Sequence, residues 1–327
     1  MHPNCGVARL NIVIRFFALL ALAASIAAAQ APKIGEINFY GLRKLSAEKL
    51  LATLAIHTGD ALPPSKGDLE ERIGEMAGVV DARVEAVCCQ GRDAALFIGI
   101  EERGVPHFDT RGVPVGSAVL PDDVLEQYRA FLSASARGQN AEVRRLEGGF
   151  KDFVAGNLDL VRDVLRNSSE PDHRAAAAAI ITYAPKQSEI LNDLQYALQD
   201  SEEAVRANAA GSLKAIAIQA FKESQPGFKV APVWFVEMLN SIVLGDRLQA
   251  AQVLVVLTDR PNQAALDLLR ERALPALTDM ARWKTLEYAL PAFLLLGRTA
   301  GVPEAELQDR WRKGDRETVI RKAADKR

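Results

Sequence analysis

Between Ile34 and Tyr40 apolar and polar positions alternate, with Ile37 and Phe39 on one side and polar residues between them. That period of two predicts a short strand, ended by Gly41. The period then lengthens: Ser46 stands where a helix N-cap would, Glu48 falls in the first turn, and Leu50, Leu51 and Leu54 share one face. Thr58-Gly59-Asp60 breaks this helix, and after Pro63-Pro64 a second begins with Ser65 as its cap and Leu69, Ile73 and Met76 at helical spacing, until Gly78. Alternation returns over 79–88 and 94–101, a hairpin pattern around Gln90-Gly91-Arg92-Asp93. Val84, Ala86 and Cys88 point one way and Arg83, Glu85 and Val87 the other, while Leu96, Ile98 and Ile100 form the apolar face of the second strand. Two helices can then cover one face of a small sheet.

Residues 104–120 lose periodicity and are rich in Gly, Pro and Val, which reads as a linker or extended segment. Beyond Pro121 the text is helical almost throughout, beginning with helices near 122–136 and 140–153. One pattern then recurs: Arg174-x-x-Ala177-Ala178-x-x-Ile181, Arg206-x-x-Ala209-Ala210-x-x-Leu213 and Arg247-x-x-Ala250-Ala251-x-x-Leu254, with a degenerate fourth unit from Arg282 through Leu294. Paired alanines shorten the distance between neighbouring helices, and a helix pair of this kind hides its apolar face only by stacking on the next. The longer second interval accommodates the loop Ser224-Gln225-Pro226-Gly227.

At the start, Arg9 and Arg15 precede the apolar run Phe16 to Ile26 and the small residues Ala27-Ala28-Ala29. Basic, apolar and small, in that order, is the layout of a secretory signal peptide, with cleavage expected after Ala29. The apolar run is shorter than the roughly 18–20 residues of a spanning helix. The rival expectation is a leader retained as a membrane anchor.

The residues Ile34-x-x-Ile37-x-Phe39-x-Gly41, Leu45-Ser46-x-Glu48-x-Leu50, Thr58-Gly59-x-x-Leu62, Gly78-Val79-Val80-x-Ala82-x-Val84 and Leu96-x-Ile98-x-Ile100-Glu101-Glu102-Arg103 resemble a POTRA domain. The resemblance implies a β-α-α-β-β fold and a docking module that takes a partner strand onto an exposed sheet edge. By that analogy the docking edge is Arg83, Val84, Glu85, Ala86 and Val87, with Arg83 and Glu85 as edge-guarding charges or simply a solvated face. No barrel-type strands follow. The run Leu198-x-Asp200-x-x-x-x-Val205-Arg206-x-x-Ala209-Ala210-x-x-Leu213 resembles a HEAT repeat, which implies a curved α-solenoid across roughly Leu160 to Gly297. In it Arg174, Asp200, Arg206 and Arg247 are expected as a structural ladder bonding the preceding turns. A plain Ala-rich bundle is the competing fold.

Composition refines this picture. Hydrophobic residues make up 49% but aromatic ones only 6%, an excess of Ala and Leu that favours helices. Lys and Arg number 40 against 42 Asp and Glu, and the leader removes two bases and no acid, so no global basic field favours nucleic acid. Cys88 and Cys89 remain after export, as plain strand residues, a vicinal bridge or an inter-chain link, and no metal spacing accompanies them. His57, His107 and His173 lie in separate segments without a motif partner, and Asp122-Asp123, Glu101-Glu102 and Glu202-Glu203 sit where capping or solvation explains them. No catalytic, cofactor or metal residue is therefore assigned. Trp311, beside a basic tail from Arg316, marks either a frayed terminal helix or a contact with anionic headgroups or cell-wall polymer.

The expected organisation is a signal peptide over 1–29, an α+β POTRA-like module over 33–103, a linker over 104–120, an all-α HEAT-like solenoid over 121–313 and a charged tail over 314–327. The chain is expected to be mostly helical, exported and periplasmic. Its expected role is a non-enzymatic scaffold that brings other envelope proteins together, as in outer-membrane protein assembly or secretion. The rivals are an enzyme or lyase-like cofactor-attachment protein using the solenoid groove, and an inner-membrane-anchored, division-type POTRA protein.

Overall fold

A computed structural model describes residues 32–90, 93–222 and 230–325. The leader with its Ala29 cleavage point, the hairpin tip at 91–92 and the loop from Ser224 to Gly227 lie outside the described residues. The architecture is a small α+β module followed by a solenoid-like array of helices, mostly helical as a whole.

The module runs β1 (Lys33–Tyr40), α1 (Ala47–Leu54), α2 (Gly67–Gly74), β2 (Val79–Gln90) and β3 (Asp93–Glu102). Its sheet has the order β1-β3-β2, so β3 is central, parallel to β1 and antiparallel to β2. Ser46 caps α1 by accepting from the Lys49 N–H, as its position predicts. Ser65 accepts from the Asp68 N–H, just ahead of α2. The left-handed φ of +83° at Gly41 is a glycine requirement twice over, because a Cβ there would lie 2.0 Å from the Ile100 carbonyl oxygen.

One face of the sheet meets α1 and α2: Ile34, Val84, Leu96, Ile98 and Ile100 pack with Leu50, Leu54, Leu69 and Ile73. The other face is buried too. Tyr40 and Phe97 belong to the core of the helical array, and Trp283 meets both rings edge-on at centroid distances of 5.8 and 5.2 Å. The Tyr40 ring lies across Gly99, where a Cβ would come within 2.5 Å of it.

The array consists of α3 (Asp122–Ala136), α4 (Asn140–Asn167), α5 (Pro171–Ile180), α6 (Leu191–Ala197), α7 (Glu203–Lys222), α8 (Val233–Met238), α9 (Leu244–Leu257), α10 (Gln263–Arg272), α11 (Leu274–Arg282), α12 (Leu286–Thr299), α13 (Glu304–Arg312) and α14 (Arg316–Ala324). The helices α5, α7, α9, α12 and α14 stack successively, each on the next. The paired alanines of α5, α7 and α9 are all fully buried. The approach they permit is close enough for Asn208 and Ser212 of α7 to donate to the Ala175 and Ala178 carbonyls of α5 at 2.8 and 3.2 Å. α4 extends beyond the expected end near 153 and is kinked at Asn157, whose φ of −133° is non-helical.

Two segments differ from expectation. Residues 104–120 are extended but not a free linker: the Arg111 N–H donates to the Gln199 carbonyl and the Gly116 N–H to the Asn167 carbonyl, and the Ser169 N–H donates back to Gly116. Its partners are distant in sequence, which is why local composition gave no sign of them. The expected charged tail over 314–327 contains α14, with Val319, Ile320 and Ala323 buried against the array and Trp311 packed on Phe293. Helical spacing of these apolar residues outweighs the basic text around them.

Candidate functional site

Among the described residues strand β2 forms one edge of the sheet, with β3 as its only strand neighbour. Val84 is buried toward α1 and α2, and Ala86 packs partly on the same side. Val87 turns to the array. Arg83 and Glu85 reach the array as well while staying partly exposed to solvent: Arg83 is paired with Glu203 at the start of α7 at 2.9 Å, and Glu85 accepts from the Leu244 N–H at the start of α9 at 3.2 Å. Burial raises the Glu203 carboxyl above its ordinary value, and the neighbouring Arg83 offsets only part of that rise. The strand is therefore clamped through alternate side chains while its backbone edge faces away from β3. Beside that edge, between β2 and the start of α2, lies a groove of about 540 Å³.

The arginines of the repeat pattern form a ladder along the array. Arg174 donates to both Asp200 oxygens at 2.9 and 3.0 Å and to the Ser168 and Ser169 carbonyls of the turn before its helix. Arg206 repeats this with Asp246, at 2.8 Å, and with the Asp200 and Ser201 carbonyls. Arg247 departs from the series. It donates to the Ser241 carbonyl and stacks 4.6 Å from the Tyr40 ring centroid, but among the described residues it meets no carboxylate and its buried Nη1 finds no partner. Burial depresses its pKa to about 10. The nearby Asp279 is engaged by the small module instead, accepting from the Gly41 N–H at 3.0 Å and from Arg43 at 2.8 Å.

That junction is the part of the molecule that strand and helix patterns missed. Tyr40 donates to the Ile242 carbonyl, Trp283 to the Phe39 carbonyl, and the Lys284 N–H to Asn38. The available signal was Leu96-Phe97-Ile98, an uninterrupted apolar run that marks a strand covered on both faces.

The candidate reactive groups are scattered. His57 lies beside Asp60 on the surface, and His173 accepts from the Leu120 N–H. His107 bonds Asp109 at 2.9 Å, and a hydrogen bond with the Val105 carbonyl, followed by Glu101 and Asp109, raises its pKa. Ser212 is buried within α7. Glu102, 2% exposed, accepts the N–H groups of Arg43, Lys44 and Leu45 and so organises the turn after β1. Cys88 is disulfide-bonded, which removes the reading of it as a plain strand thiol. Among the described residues no group of His, Cys, Asp and Glu could hold a metal ion, and no helix is long and apolar enough to cross a membrane.

A family model for HEAT repeats matches residues 158–225, the span from the second half of α4 through α7 that carries the first two ladder arginines. No curated protein and no solved structure matches the chain. The repeats and the helical array point to a protein-interaction scaffold.

Proposed function

We propose that the chain is an exported, non-enzymatic scaffold of the cell envelope, in which a POTRA-like module takes a partner strand onto β2 and the HEAT-like array holds that module in place. The observation that carries this reading is the edge itself: among the described residues β2 has one strand neighbour, is anchored to the array through Arg83 and Glu85, and flanks a groove of about 540 Å³. The order strand, helix, helix, strand, strand supports the POTRA-like part. A scaffold for outer-membrane assembly or secretion is the role that fits such a module. The dispersal of His57, His107 and His173 favours this over an enzyme.

An edge-blocking substitution tests the docking role without removing the module. Ala86 follows Val84 by two positions, so its N–H shares the outward direction, and Ala86→Pro deletes an edge donor without touching the β2–β3 ladder. Affinity capture from envelope extracts is expected to lose specific partners with Ala86→Pro while circular dichroism stays unchanged; partners retained by the variant would remove the docking role. N-terminal sequencing of the exported protein tests location: a start at Gln30 supports a cleaved leader, and a start at Met1 in the membrane fraction supports the anchored rival.

A further inference from the structure

Two of the outward N–H groups of β2 are not open. The Val84 N–H donates to Glu70 Oε1 of α2 at 2.7 Å, and the Ala82 N–H to Asp81 Oδ1 at 2.8 Å. These are two of the donors that a strand added at this edge would need. A carboxylate held against them satisfies the backbone and blocks unwanted edge-to-edge pairing, as edge strands require. It also sets a condition on any partner.

Charge fixes that condition. The groove is lined by the carboxylates of Glu70, Asp81 and Glu85 and by the bases Lys66 and Arg83. Arg83 and Glu85 are 3.6 Å apart and both are engaged at the array, so they largely compensate one another. What remains toward the groove is Glu70 and Asp81 against Lys66, an excess of one negative charge. Geometry fixes it further. Val84 points its side chain to the face covered by α1 and α2, and a residue placed opposite it on an added strand points to that same face. Glu70 stands on this face, half-buried on α2. A residue opposite Arg83 or Glu85 points instead toward the array.

We infer that Glu70 is a displaceable guard of the β2 edge, and that the segment which docks there is an extended strand with a lysine or arginine opposite Val84. The guard leaves Val84 when the incoming base offers its carboxylate a charged partner, and the freed N–H then takes the carbonyl of the added strand. A neutral strand must displace the same carboxylate with nothing to receive it. An acidic one meets repulsion as well. This inference rests on the strand-addition reading above and adds the partner's chemistry to it.

The test uses the full chain and three capped, fluorescein-labelled peptides of alternating Thr and Val that differ only at the central residue, Lys, Gln or Glu, with binding read by fluorescence anisotropy. The Lys peptide is expected to bind roughly fivefold more tightly than the Gln peptide, the scale of one exposed ion pair, and the Glu peptide more weakly still. In Glu70→Ala the preference is expected to vanish and the Gln peptide to gain affinity, because the Val84 N–H is then open. Hydrogen exchange at the Val84 amide should quicken in this variant with no change at the β2–β3 ladder amides, which separates loss of the guard from loss of the fold. Equal binding of the three peptides by the wild-type chain, abolished by Ala86→Pro, would overturn the guard and leave docking intact. Binding of none of them by wild type or Glu70→Ala would overturn both. Self-association of the wild-type chain that Ala86→Pro abolishes would overturn the basic partner in favour of a second copy.

Discussion

The three ladder arginines share one sequence pattern and meet two different fates. Arg174 and Arg206 are enclosed by a carboxylate and two carbonyls each, so removing the acid would leave a buried guanidinium without its counter-charge. Asp200→Ala is expected to lose about 3–5 kcal/mol in urea unfolding, the scale of an uncompensated buried ion. Arg247 already lacks that partner, and its replacement should behave differently. Arg247→Met is expected to change stability by less than about 1 kcal/mol at neutral pH, because the lost carbonyl bond is offset by relief of the unpartnered Nη1. The pH dependence has a definite sign. Below about 10 the folded and unfolded chains both hold the Arg247 proton, so the burial penalty is complete. Between about 10 and the ordinary arginine range the folded chain releases a proton that the unfolded chain keeps, and the wild type gains stability relative to Arg247→Met as pH rises. Urea midpoints of the two proteins at pH 8 and pH 11 check this, with a constant difference as the contrary result.

At the scale of elements, legibility followed the range of the interactions. The helices and strands of the small module were readable because their periods are local, and the alanine pairs of α5, α7 and α9 were readable because tight helix contact demands small residues there. The segment from Gly104 to Leu120 was not, since its order comes from backbone bonds to Gln199, Asn167 and Ser169, far away in the chain. Nor was the side-chain destination of Arg83 and Glu85, whose alternation in β2 defines a face but not what covers it. The strap is open to a direct test at Gly116, where a Cβ would stand 2.4 Å from the Asn167 carbonyl oxygen. Gly116→Ala is expected to cost about 1–3 kcal/mol, the scale of overpacking, and to make residues 104–120 more susceptible to limited proteolysis. An unchanged cleavage pattern would mean that the strap tolerates the methyl group by a small shift.

For the whole molecule the consequential fact is that the sheet has no free face. Its inner side holds α1 and α2, and its outer side lies on the array through Tyr40, Phe97 and Trp283. A partner that pairs with this sheet is therefore left with an edge, and the edge it meets is fixed in position by Glu203 and Leu244 rather than swinging on a linker. A fixed edge binds at a smaller cost in ordering than a mobile one, so under the proposed docking the array would contribute even where it touches no partner. Trp283 is the group on which this coupling depends most, since it packs against both aromatic rings and donates its Nε1 hydrogen to the Phe39 carbonyl at 3.1 Å. Trp283→Ala is expected to lose about 3–5 kcal/mol, the range for deleting a large buried aromatic. It should also divide one cooperative unfolding transition into two, with amides of β1 and β3 exchanging before those of α7 and α9. Differential scanning calorimetry together with hydrogen exchange reads both effects. If the module and array of the variant still unfold together, the strap and the Asp279 contacts with Gly41 and Arg43 suffice to couple them, and the edge keeps its fixed position without the tryptophan.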